Sequence, residues 1–129
     1  MTKVDELALL LKVVEEKRKN GQGEKIYISG AVTGTMDYMS RFSRAEEQLK
    51  AQGFEVINPA AVNAVLPRST SYGEYMDMSR LMLSFCRSIY MLNGWEHSCG
   101  AKQEFARAVL DGKKIYFEKD GLPEVTNDD

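Results

Sequence analysis

The spacing of apolar residues switches between helical and strand periods along the chain. Leu7, Leu10, Leu11 and Val14 recur every three or four residues opposite charged positions, which predicts an amphipathic helix over 3–19. The same reasoning predicts helices at 39–52, 74–85 and 100–110, and short apolar runs predict strands at 25–30, 54–58, 88–92 and 114–117. Residues 60–71 and 93–99 are predicted as loops, and the last dozen polar residues as a frayed tail.

Strands that alternate with helices predict an α/β fold. We expect a doubly wound parallel sheet of the flavodoxin or Rossmann kind, with helices on both faces and an extra N-terminal helix. The 129 residues fit one domain, 1–129, made of an N-terminal helix (1–23), an α/β core (24–118) and a tail (119–129). Ligands of such sheets bind at the carboxyl ends of the strands, here 29–34, 58–60 and 93–100.

Composition narrows the possible partners. The net charge of −2 offers no basic surface for a nucleic acid polymer, although backbone amides can still hold a small phosphorylated ligand. Cys86 and Cys99 do not suggest a disulfide framework, and no segment has the apolar length of a membrane span. A lone histidine, His97, cannot build a metal site. We therefore expect a cytoplasmic protein with no metal or redox cofactor.

The first candidate binding loop follows the first strand. It reads Ser29-Gly30-Ala31-Val32-Thr33-Gly34-Thr35 and combines glycines with hydroxyl donors. Ser29, Gly30, Thr33 and Gly34 are the candidates for contact with a phosphate. Because the spacing matches neither G-x-G-x-x-G nor a Walker loop, a plain glycine turn stays an equal alternative.

The second candidate segment runs from Asn93 to Glu104. Ser98 is suited to cap the following helix, and Gly100 and Ala101 lie in its first turn, where unpaired amides attract anions. Glu104 follows one to two turns later, and its carboxylate is either near that anion or simply solvated.

Other polar and aromatic residues are less decisive on pattern alone. Trp95 could stack on a base or merely cover the sheet edge, and His97 fits an exposed loop residue. Tyr27 alternates with apolar residues on a buried strand, so its hydroxyl needs a partner, for which Glu104 is a candidate. Asp77 and Glu74 could each supply a second acid or favour the helix dipole. Arg41 and Arg44 could reach a phosphate or form surface ion pairs.

Taken together, three stretches resemble the nucleoside 2-deoxyribosyltransferase-like superfamily. They are IYISGAVTG, NPA and GWEHSCGAKQEFARAVLDGKKI, within residues 25–118. The resemblance is closest to an uncharacterised branch common in phage and bacterial genomes, in which the third stretch usually has Asn where His97 stands.

The resemblance implies an activity and roles for particular residues. Members of the superfamily cleave or exchange the N-glycosidic bond of deoxynucleosides or nucleotides through a glutamate six residues beyond a Ser or Asp, a spacing that Ser98 and Glu104 reproduce. It implies a homo-oligomer, a 5′-phosphate on Ser98, and a Tyr27 hydrogen bond to the nucleophile Glu104.

The chain also departs from the pattern of that superfamily. The second acid falls in register with Ser79, so that Asp77 would serve only through a shifted helix, and Arg87 replaces another acid. Two further functions therefore stay open. One is a nucleotide-binding or sequestering module without turnover, and the other is a phage interaction protein whose leading helix binds a partner.

Overall fold

The computed structural model describes residues 3–20, 23–32, 37–119 and 122–124. The elements are α1 (Lys3–Asn20), β1 (Lys25–Ser29), α2 (Tyr38–Ala51), β2 (Glu55–Ile57), α3 (Pro59–Ala64), α4 (Tyr72–Ser84), β3 (Ser88–Met91), α5 (Cys99–Leu110), β4 (Lys114–Lys119) and β5 (Leu122–Glu124). A short 3-10 helix, Trp95–His97, links β3 to α5. The predicted strands and helices follow one another in the predicted order, with α3 and β5 as additional elements. The predicted α/β class is confirmed.

The strands form one sheet in the order β2-β1-β3-β4-β5. β1, β2, β3 and β4 run parallel, and β5 pairs antiparallel with β4. The order 2-1-3-4 is that of flavodoxin-like sheets, where the direction of winding reverses between β1 and β3. A ligand crevice is therefore expected where these two strands end.

Two apolar cores lie on opposite faces of the sheet. Alternate residues of a strand point to opposite faces, so Ile26 and Ile28 join the core under α2. Tyr27 belongs to the other core, with residues of α4 and α5. Ser29, two residues further on, points to that same face. Because strand residues alternate between faces, the hydroxyl groups of Tyr27 and Ser29 both point toward α4 and α5.

Two predictions about loops and tail are wrong in part. Residues 59–64 form α3 inside the predicted loop, because Asn58 caps its start through bonds from the Ala60 and Ala61 amides, with Pro59 in the first turn. β4 extends to Lys119, and 122–124 form β5 inside the predicted tail. A three-residue edge strand leaves too short a pattern to recognise.

The apolar face predicted for α1 is not covered within the described chain. Leu7, Leu10 and Leu11 are 59%, 63% and 57% exposed. The side chain of Val14 lies outside the described part. None of the described helices has the length and apolar character to cross a membrane.

Candidate active site

The carboxylate of Glu104 is surrounded by hydroxyl groups at the end of β1. Tyr27 Oη donates to Glu104 Oε2 at 2.8 Å, and Ser29 Oγ donates to Oε1 at 2.6 Å. Ser79 of α4 brings a third hydroxyl group into the surroundings of Glu104 and acts to lower its pKa. The expected contact between Tyr27 and Glu104 is therefore present, and both carboxylate oxygens are hydrogen-bonded.

The environment of Glu104 perturbs its ionisation. Burial raises the pKa of Glu104 above its usual value, and the hydrogen bonds from Ser29, Tyr27 and Ser79 oppose that rise without cancelling it. Burial, together with the nearby Glu104 carboxylate, also holds the pKa of Tyr27 well above its usual value, so this phenol stays a donor. A partly buried carboxylate whose pKa is raised by its surroundings suits a chemical role.

Small residues on α5 explain why Glu104 faces the sheet. Ala101 and Ala108 are 2% and 0% exposed and pack in the core shared with Tyr27. Residues at i, i+3 and i+7 share one helix face, so Glu104 lies on the buried side between these two alanines. Their small side chains let the helix approach the sheet closely enough for a glutamate to reach Tyr27 and Ser29.

The first turn of α5 begins six residues before Glu104. Ser98 is the N-cap, and its Oγ accepts a hydrogen bond from the Ala101 amide at 3.1 Å, which leaves the hydroxyl proton for another acceptor. Six residues of helix span about 9 Å, and helical side chains lean back toward the N-terminus. A sugar phosphate can bridge the distance from this turn to the Glu104 carboxylate.

Both features open onto one cleft of about 690 Å³, a size suited to a small molecule. Its lining comes from the β1 end, α2, α3, α4 and α5: Gly30, Val32, Tyr38, Ala60, Asn63, Ala64, Tyr72, Tyr75, Met76, Ser79, His97, Ser98, Cys99, Gly100, Ala101 and Glu104. In the described residues, no cluster of three or more His, Cys, Asp or Glu could hold a metal ion.

A comparison with protein families matches residues 24–117, from just before β1 into β4, to a domain of unknown function, DUF4406. The chain belongs to the DUF4406 family. Curated proteins give no match. The matched part of this DUF4406 domain contains Glu104, the nearby hydroxyls of Tyr27, Ser29 and Ser79, and every residue that lines the cleft, whereas α1 lies outside it.

Most candidates in the second segment of the DUF4406 domain line the cleft. Ser98, Gly100, Ala101 and Glu104 all border it. Trp95 does not belong to the lining, because its ring stacks on Phe105 with centroids 4.6 Å apart and lies 6.3 Å from the ring of Phe117. Of the two alternatives for Trp95, the structure supports packing over α5 and β4.

The candidate residues of the first loop have different surroundings in the structure. Gly30 lines the cleft, but a Cβ there would lie 2.9 Å from Leu92 Cβ, so close packing already requires this glycine. Ser29 is 1% exposed and donates its hydroxyl to Glu104, so the phosphate contact predicted for it does not fit this geometry. Thr33 and Gly34 lie outside the described residues.

The second acid does not reach the cleft through Asp77. That side chain is 76% exposed, lies 3.8 Å from Arg80, and is absent from the cleft lining. Ser79, which is 7% exposed, occupies the inward position instead. The two positions differ by about 200° around a helix, so only a shifted α4 could bring Asp77 inward.

The remaining charged candidates have structural partners. Glu74 closes a capping box with Ser71 at the start of α4, the dipole role that the sequence allowed. Arg41 Nη2 donates to the Asn93 carbonyl oxygen at 2.8 Å, and Arg87 precedes β3, at the opposite end of the sheet from Glu104.

Sequence reasoning missed one wall of the cleft. Asn63, Tyr72 and Tyr75 line it from α3 and the first turn of α4. The sequence pattern predicts a loop over 60–71 and a helix that begins only at residue 74, so it does not place Asn63 or Tyr72 on a helix. The Asn-Pro pair before α3 and the Ser71 capping box were the available signals.

Proposed function

We propose that this DUF4406 domain cleaves or transfers the N-glycosidic bond of a (deoxy)nucleoside 5′-monophosphate, with Glu104 as nucleophile. One observation carries the proposal: a half-buried carboxylate, hydrogen-bonded by the hydroxyls of Tyr27 and Ser29, shares a cleft with the start of a capped helix. The resemblance to nucleoside 2-deoxyribosyltransferases assigns the same position to the nucleophile, which adds support.

The chemistry follows from the charge that glycosidic cleavage develops. A Glu104 oxygen bonds to C1′ as the bond from C1′ to the base nitrogen breaks, and the electron pair of that bond leaves with the base, which takes up a proton. Water, or the nitrogen of another base, then attacks C1′ and releases Glu104. The transition state resembles an oxocarbenium ion, which a carboxylate beside C1′ stabilises.

The hydroxyls around Glu104 orient the nucleophile. Tyr27 and Ser29 each bind one oxygen, which fixes the plane of the carboxylate. As Glu104 gives up its charge to the new bond, these hydrogen bonds weaken, and they strengthen again when the carboxylate is released. The hydroxyls therefore favour the second half of the reaction, in which Glu104 is the leaving group.

The phosphate is assigned to the first turn of α5. Amides there, the positive end of the helix dipole and the free Ser98 proton together suit an oxyanion. The aromatic rings of Tyr72 and Tyr75 line the α4 side of the cleft and suit the flat face of a base.

A second function is a nucleotide-binding module without turnover. One observation favours it: among the described residues that line the cleft, Glu104 is the only carboxylate. A leaving base usually receives its proton from a second acid, so the reaction would depend on solvent for that proton.

One experiment separates the two functions. The protein is incubated with a panel of ribo- and deoxyribonucleoside 5′-monophosphates, and free base is measured by chromatography. Base release that is lost in Glu104→Gln but kept in Glu47→Gln, an exposed glutamate on α2, supports the enzyme. Saturable binding with no base released supports the module.

A further inference from the structure

The cleft holds one side chain that can carry a positive charge. Among the described residues that line it there is no Lys or Arg, and His97 is the one histidine of the chain. Residues 33–36, outside the described part, read Thr-Gly-Thr-Met and add no basic residue. Among the described residues that line the cleft, His97 is therefore the one side chain that can offer a phosphorylated ligand a positive charge.

The 3-10 helix fixes the position of His97 relative to the start of α5. The His97 amide donates to the Gly94 carbonyl at 3.1 Å, and Gly94 has a φ of +87°, a conformation that favours glycine. The next residue is Ser98, the N-cap of α5, and both residues line the same cleft. His97 is exposed, so its imidazole can turn toward a ligand without a folding cost.

We propose that His97 makes this cleft selective for phosphorylated ligands, because its protonated imidazole pairs with the phosphate held at the start of α5. The location of that phosphate rests on the proposed function. A charged imidazole attracts a phosphate far more strongly than a sugar hydroxyl, so the cleft prefers a phosphorylated over an unphosphorylated ligand.

Neighbouring charged groups must be counted in this preference. The charged and titratable side chains on the turn of His97 and around the cleft are Glu96, Cys99, Lys102, Glu104, Tyr38, Tyr72, Tyr75, Arg41 and Glu118, and Arg80 and Arg107 line an adjoining pocket that also borders Glu104. Of these, Arg41 donates to the Asn93 carbonyl, and Glu118 accepts from the Asn93 amide at 2.9 Å. Glu104 is the one carboxylate that shares the cleft, so it must be neutralised before His97 can be tested.

The test measures affinity in a Glu104→Gln background, which also prevents turnover. Calorimetry at about pH 6, where an ordinary imidazole is largely protonated, gives the Kd of a deoxynucleoside 5′-monophosphate, and of the corresponding nucleoside, for that protein and for the same protein with His97→Asn. Glu96→Gln, in the same turn but not in the cleft lining, is the matched control.

We expect His97→Asn to weaken monophosphate binding about three- to five-fold, the range of a partly exposed ion pair. The affinity for the corresponding nucleoside should not change. An equal loss for the nucleoside, unchanged affinity for the monophosphate, or no monophosphate binding at all would overturn the proposal. Base release by the wild-type protein is a separate measurement, so failure of the glycosidase function is distinguishable from failure of this inference.

Discussion

Replacing Tyr27 by Phe tests the site without assuming a reaction. The ring of Tyr27 is 1% exposed and stays in place, so the change removes one hydroxyl and one hydrogen bond of 2.8 Å to Glu104. A hydrogen bond to a charged group stabilises a protein by about 1.5–3 kcal/mol. Since Ser29 still donates to Glu104, the lower end applies, and we expect a loss of about 1.5 kcal/mol when Glu104 is ionised.

The dependence of this loss on pH has a definite sign. The Tyr27 hydroxyl favours the ionised carboxylate, so its removal raises the pKa of Glu104 further above its usual value. The stabilisation by Tyr27 is therefore present at pH values above the raised pKa of Glu104 and declines as the pH falls through it. Urea denaturation of both proteins between pH 5 and 8 measures the difference in the free energy of unfolding.

Tyr116→Phe is the matched control. Tyr116 is also buried on a strand, at 5% exposed, but its hydroxyl contacts Glu24 at 3.4 Å and not Glu104. In that variant, the ¹³C chemical shift of the Glu104 carboxyl carbon should titrate as in the wild type. A loss of stability in Tyr27→Phe that is equal at every pH, with no change in the Glu104 titration, would show that the Tyr27 hydroxyl does not stabilise the ionised carboxylate.

Further predictions concern other features. Burial raises the pKa of Cys86 to about 11, so iodoacetamide should modify exposed Cys99 first, and intact mass should show one fast adduct that Cys99→Ser removes. A Cβ at Gly100 would meet its nearest neighbour, Met76 Sδ, at 3.9 Å, so Gly100→Ala should fold normally. Because Gly100 lines the cleft, the added methyl group should crowd a phosphate at the start of α5 and weaken monophosphate binding about ten-fold; unchanged affinity would contradict a phosphate there. The exposed leucines of α1 predict a homo-oligomer, and light scattering that finds a monomer at tens of micromolar would contradict it.

Much of the fold could be predicted because its signals are local. The alternation of apolar strands with helices that have an apolar stripe decides the α/β class, and parallel pairing follows from the crossovers. α3 and β5 escaped because a six-residue helix and a three-residue edge strand are too short to show a period. Asn58 and Pro59 held the only local signal for α3.

The part of the candidate site that lies on α5 could be predicted from the sequence. The spacing of Ser98 and Glu104 puts an anion site and a carboxylate along one helix, and Ala101 and Ala108 mark the face that turns inward. The sequence predicts that Ser29 contacts the ligand, but its hydroxyl binds Glu104, which lies 75 positions further along the chain. That contact depends on the tertiary fold and has no local signal in the sequence. The exposure of Asp77 depends on the rotation of α4, which an amphipathic pattern defines only coarsely.

A search for a covalent intermediate identifies the nucleophile itself. The protein is mixed with a deoxynucleoside 5′-monophosphate, quenched in acid and digested with trypsin, which releases Gln103–Arg107, a peptide whose only side-chain carboxylate is Glu104. We expect this peptide to gain the mass of the sugar phosphate residue, and Glu104→Gln to abolish both the adduct and base release. Base release with no adduct on this peptide, or release that persists in Glu104→Gln, would contradict this expectation.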